Sequence, residues 1–142
     1  MELCNYSCAD QTRYYDIEAI EIPIVYNKYG DHDPNGLLYV LKKDAKRIRE
    51  GALRNFSQEI PQPYEDVKPL VIRANVGEKV VISFSHSLNR ALSIHVLGMA
   101  YDVQTSDGAN VGFNQDTTTR NRITYTWYAA REGVYLFHDM GD

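Results

Sequence analysis

The sequence predicts an all-β sandwich or barrel carrying one short helix. Short runs rich in Val, Ile, Phe and Tyr recur along the chain, separated by Gly, Pro and Asn turn signals. Tyrosine is abundant, eleven among 142 residues against one Trp and four Phe, and its ring suits half-buried sheet faces. Only one stretch carries helical spacing, and neither an internal repeat nor a low-complexity tract is present.

The elements follow in order. Residues 13–29 alternate Ile17 and Ala19, then Ile20, Ile22 and Ile24, with Asp16, Glu18, Glu21 and Pro23. This is a strand with a register change near Ala19–Ile20, which reads as a bulge, and Pro23 places it at an edge or an irregularity. Gly30-Asp31-His32-Asp33-Pro34-Asn35-Gly36 reads as a loop. Leu38, Leu41, Ala45 and Ile48 have helical spacing, and Lys46, Arg47 and Arg49 before Gly51 suit a helix C-terminus, so one short helix is expected near 41–50. Residues 52–69, with Pro61, Pro63 and Pro69, read as an irregular connection. Strands are then expected at 69–73, at 78–85 with Val80, Ile82 and Phe84 on one face, at 92–97, at 123–128 and at 134–138. A long polar loop spans 105–121.

Composition bounds the function. The chain is one domain's worth, read as a tail over 1–12 and a domain over 13–142. Apolar residues make up 44 % and charged residues 24 %, which excludes a disordered or fibrous chain. The net charge of −4 offers no electrostatic footprint for nucleic acid, so no such partner is expected. Apolar runs are too short for a membrane span. The first twelve residues lack the basic start and apolar stretch of a signal peptide, which leaves the compartment open. Cys4 and Cys8 are free to pair, to bind metal or to do neither, and no His near them in sequence completes a zinc set.

Two of the four histidines, His95 and His138, fall at the ends of expected strands. Strand-end imidazoles meeting at one pole of a sandwich are a way to place ligands for a transition metal. On spacing alone the bland alternative outranks it, since a strand histidine is often only hydrogen-bonded in place. His86, on the same face as Phe84 and Leu88, is expected buried and hydrogen-bonded.

Four blocks then carry a resemblance. Residues 69–88, PLVIRANVGEKVVISFSHSL, are similar to the pattern P-x-I-x-x-x-x-G-[DE]-x-[VL]-x-[IV]-x-[FL] that opens a cupredoxin domain of the multicopper oxidases. His95-Val96-Leu97-Gly98 lines up with H-x-H-G, residues 123–127 resemble the strand before the closing motif, and Gly133 to Met140 lines up with G-x-Y-x-[YF]-H-x-H. The stretch YNKYGDHDPNGLLYVL resembles the large bacterial oxidases related to manganese oxidases and ceruloplasmin. The resemblance implies a Greek-key cupredoxin sandwich, copper as cofactor, oxidoreductase ancestry, and neighbouring cupredoxin domains or a homo-oligomer as partners. Related oxidases are mostly extracytoplasmic.

The departures are as informative. Each family motif supplies two histidines to a trinuclear copper cluster, whereas here Leu97 and Met140 stand where the second of each pair belongs. Asp139 occupies the place of the Cys that a type 1 copper site requires. What remains is a half-site of His95 and His138, with Met140 and Asp139 as further candidate ligands. Two imidazoles and a thioether suit Cu(I), and a carboxylate shifts preference towards Cu(II) or zinc. A final sandwich strand is also expected to be missing, or supplied by the N-terminal segment or another chain. Three functions stay open: a copper-binding module, an oligomeric copper oxidase completed across an interface, and a metal-free assembly domain.

Weaker signals complete the survey. Asp31, Asp33 and Asn35 imitate the start of a calcium loop, but Lys42 at the twelfth position and Pro34 argue against it. Ser106-Asp107-Gly108 with Asn114 and Asp116 reads as a solvated acidic surface.

Overall fold

The computed structural model describes residues 11–109, 117 and 122–141. The chain forms two compact units, one from residues 1–16 with 72–142 and one from 17–71. Strand β1, Thr12–Val25, contributes its first residues to the former and the rest to the latter.

In the 17–71 unit, β1 pairs antiparallel with β2, His32–Leu41, in a register running from Ile17↔Leu41 to Val25↔His32. The register shifts between Ile22 and Ile24, at Pro23. Proline has no N–H to give the ladder, so the irregularity sits there. At Ala19–Ile20, where alternation breaks in the sequence, consecutive residues are simply both buried, at 4 % and 0 % exposure. The expected loop at 30–36 is corrected. The turn is confined to residues 26–31, closed by Tyr26 N donating to the Asp31 carbonyl at 2.8 Å and by Asn27 Oδ1 accepting from Tyr29 N at 2.9 Å. Gly36 belongs to β2, because a Cβ there would collide with the Ile24 side chain.

The helix is also displaced from its expected place near 41–50. A 3₁₀ turn at Lys42–Asp44 leads into α1, Ala45–Phe56, and Leu38 and Leu41 are strand residues. A continuous apolar run such as 37–41 fits a buried strand as well as a helix, and pairing with β1 decides it. Gly51 lies inside α1, and the Tyr64 ring packs on it where a side chain would stand. Helix α1 buries Ala45, Ile48 and Ala52 with Ile20, Ile22 and Val40, each large aliphatic contributing about 1.5–3 kcal/mol.

In the other unit β3, Lys79–His86, pairs antiparallel with β6, Ile123–Tyr128, from Lys79↔Tyr128 to Phe84↔Ile123. Strand β5, Ala100–Tyr101, lies on the far side of β6, and β1 lies on the far side of β3. A second sheet is formed by β4, His95–Val96, and β7, Phe137–His138. Strict alternation in β3 sends Val80, Ile82, Phe84 and His86 inward, where Tyr125 and Trp127 of β6 are also buried. His86 is buried as expected, its Nε2 bonding the Thr117 carbonyl at 3.1 Å and its Nδ1 accepting from Leu88 N at 3.1 Å.

Three expected strands shrink. Residues 70–73 have no ladder, although Tyr15 Oη donates to the Arg73 carbonyl at 2.5 Å. The 92–97 strand reduces to β4 plus a bridge from Leu92 to Thr117, and 134–138 reduces to β7 with one added bond from Leu97 N to the Leu136 carbonyl. The one-turn helix α2, Val103–Ser106, begins just before the expected 105–121 loop, capped by Asp102 accepting from Gln104 N at 2.9 Å.

Candidate metal centre

The site begins with strand register. Antiparallel pairing of β4 with β7 sets His95 directly opposite His138, so both side chains leave the same face of the ribbon. Their ring centroids stand 5.6 Å apart with planes at 71°. Residues distant in sequence are thus brought into contact by two short strands.

Each ring is oriented through Nδ1. That atom of His95 lies 2.7 Å from the Asp107 carbonyl, and that of His138 lies 2.9 Å from the Asp139 carbonyl. A carbonyl oxygen only accepts, so both Nδ1 atoms carry the proton, and a neutral ring then presents a bare lone pair at Nε2. This is the arrangement that prepares imidazole for a metal. Two imidazoles ligating one ion through Nε2 at about 2.0–2.1 Å hold their centroids about 5–6 Å apart. The observed separation falls within that interval.

Behind His95 stands a group that sequence reasoning missed. Asp107 is buried at 7 % exposure, which corrects its expected place on a solvated surface. Its Oδ1 accepts from Tyr101 Oη at 2.6 Å and lies 3.7 Å from His95 Nδ1. Burial, and then the hydrogen bond to Asp107, push the Tyr101 phenol up to about 12. Gly108 makes the approach possible. It has φ +72°, and a Cβ there would collide with the Ile94 carbonyl, so the chain passes tightly beside β4 and sets Asp107 under His95. The signal was the Asp-Gly pair, which reads equally well as an exposed turn.

Asp139 and Met140, the other two expected ligands, are both bonded to Ser93. Asp139 Oδ1 accepts from Ser93 N at 2.8 Å and from Gly141 N at 3.0 Å, clasping the β7 end to the approach of β4. Met140 donates its main-chain N–H to Ser93 Oγ at 3.1 Å, and its side chain is exposed. Leu97 is exposed as well. Among the described residues no group of three or more His, Cys, Asp or Glu gathers to hold an ion, so the pair offers two nitrogen donors. Cys4, Cys8, Asn114 and Asp116 lie outside the described residues. Asp31 accepts from Asn27 Nδ2 at 2.7 Å, Asp33 Oδ1 accepts from Asn35 N at 2.9 Å, and Asn35 donates to Glu21 at 3.1 Å.

A five-stranded and a two-stranded sheet, β2-β1-β3-β6-β5 and β4-β7, are consistent with a cupredoxin-like β-sandwich. The model of the multicopper oxidase family matches residues 65–141, which include both histidines. That is more than half of the chain, and the chain belongs to the multicopper oxidase family. Among solved structures, a multi-copper oxidase from Pseudomonas thermotolerans matches 91 % of this chain with a TM-score of 0.61 at 15 % identity, a likeness of fold. This chain spans 25 % of that chain's length. No curated protein sequence matches. The oxidase-like stretch at the first hairpin lies before the matched segment.

Proposed function

We propose that this cupredoxin domain binds copper through Nε2 of His95 and His138, with the Met140 thioether as a further candidate donor. The observation that carries the proposal is the pair of Nδ1–carbonyl bonds, which turns the Nε2 lone pairs away from those carbonyls on rings whose centroids stand 5.6 Å apart. Copper, when bound, supplies a one-electron couple between Cu(I) and Cu(II). The chain's own residues do the rest. The Asp107 and Asp139 carbonyls hold the two tautomers, Tyr101 steadies Asp107, and the buried flank of His95 keeps water from one side. Asp139 stands where a type 1 site has its thiolate, so a blue centre is not part of the proposal. The domain serves as a partial copper site rather than a self-sufficient four-electron oxidase.

The test is copper content by mass spectrometry after Cu(II) loading and desalting. Wild type is expected to retain copper, and His95→Ala and His138→Ala are each expected to lose it. Equal copper in both variants and wild type would remove the assignment. A folded wild type without copper would leave a metal-free assembly scaffold.

A further inference from the structure

A cavity of about 350 Å³ opens where the link from β4 to β5 passes the link from β6 to β7, and its size is that of a small-molecule site. Gly98, Met99 and Ala100 line it from the first link, and Tyr128, Arg131 and Tyr135 from the end of β6 and the second link. Two contacts tie these walls together. Ala100 pairs with Tyr128 in the β5–β6 ladder, and Leu97 N donates to the Leu136 carbonyl at 2.8 Å.

The lining specifies the occupant. Tyr135 Oη is already committed, donating to the Arg131 carbonyl at 2.9 Å, and its ring lies against Gly98, where a Cβ would stand 3.4 Å from Cδ1. The ring is therefore a fixed wall. Tyr128 and Arg131 differ: among the described residues, neither the Tyr128 phenol nor the Arg131 guanidinium has a hydrogen-bond or ion-pair partner. A guanidinium matches a carboxylate with two parallel N–H donors, and a phenol adds a third. Phenol rings and a thioether take an aromatic ring on its face or edge. Arg131 is the one charged residue lining the cavity among the described residues, which fits a single carboxylate rather than a polyanion.

We propose that this cavity binds a small aromatic carboxylate, with its charge on Arg131 and Tyr128 and its ring against Tyr135 and Met99. The site uses no metal. It stands whether or not His95 and His138 hold copper.

The experiment is titration calorimetry on the full chain with naphthoate as probe. Naphthalenemethanol, which keeps the ring and lacks the charge, and decalincarboxylate, which keeps the charge and lacks aromaticity, run beside it. Naphthoate is expected to bind once per chain, and both comparison compounds more weakly. Arg131→Met is expected to weaken naphthoate about tenfold, the size of a lost charge-assisted hydrogen bond, with Arg131→Lys in between. Tyr128→Leu is expected to weaken it as well. Both positions are exposed, so the variants should melt as wild type does, and a variant that does not is replaced by Arg131→Gln or Tyr128→Phe. Wild-type affinity in the Arg131 variant would place the ligand elsewhere. Equal binding of naphthalenemethanol would overturn the carboxylate, and equal binding of decalincarboxylate the aromatic ring. No binding of naphthoate at millimolar concentration would overturn the site.

Discussion

Tyr101 and Asp107 show how a few ångströms of burial convert ordinary side chains into positioning groups. The phenol donates at 2.6 Å to a carboxylate that burial keeps from water, and the same residue's carbonyl orients His95. The raised folded pKa has a definite sign. The folded state holds the Tyr101 proton more tightly than the unfolded chain, so this contribution is whole below the ordinary value of 10.0 and is lost as pH rises through about 12. Unfolding stability is expected to decline over that window, tracked by tyrosinate absorbance, and Tyr101→Phe should flatten the decline. An unchanged slope in the variant would show that another group titrates. At the opposite end of the pH scale, Arg13 and Asn75 hold the Glu78 carboxyl below its ordinary value, so its contribution is lost as pH falls through the acid range.

Strand β3 shows what an element contributes. Its alternation was legible because one face is dry, and Phe84 at 0 % exposure packs against Tyr125 with ring centroids 6.4 Å apart. Phe84→Ala is expected to cost about 3–5 kcal/mol in urea unfolding, through lost burial and the cavity left behind. A loss below about 1 kcal/mol would mean that the site collapses or that the ring is not packed. The hairpin of β1 and β2 teaches the opposite lesson. Asp33-Pro34-Asn35-Gly36 has every local mark of a turn, yet it is strand, because Gly36 is where the Ile24 side chain crosses. Local turn chemistry lost to a tertiary contact.

For the whole molecule, the family match covers residues 65–141, and the chain spans a quarter of the structural relative it resembles. Copper binding to the folded state alone would raise apparent stability by mass action, about 2.7 kcal/mol at a hundredfold excess over Kd. Copper is therefore expected to raise the melting temperature of wild type and to leave His138→Ala unshifted. An equal rise in both would place the ion elsewhere.

The sequence alone determined the β-sandwich class, the inward face of β3, the family and the two histidines worth following. These rest on period-two patterning and on short motifs whose order survives along the chain. Tertiary structure decided that His95 and His138 face each other, because cross-strand register joins residues separated by 43 positions, 95 to 138. It also moved Asp107 from expected surface to buried partner, since only the positive-φ passage at Gly108 shows where that carboxylate goes. Spacing reports what a segment prefers locally. Which side chains share a face across two strands depends on pairing, and pairing is set by everything the sheet must bury.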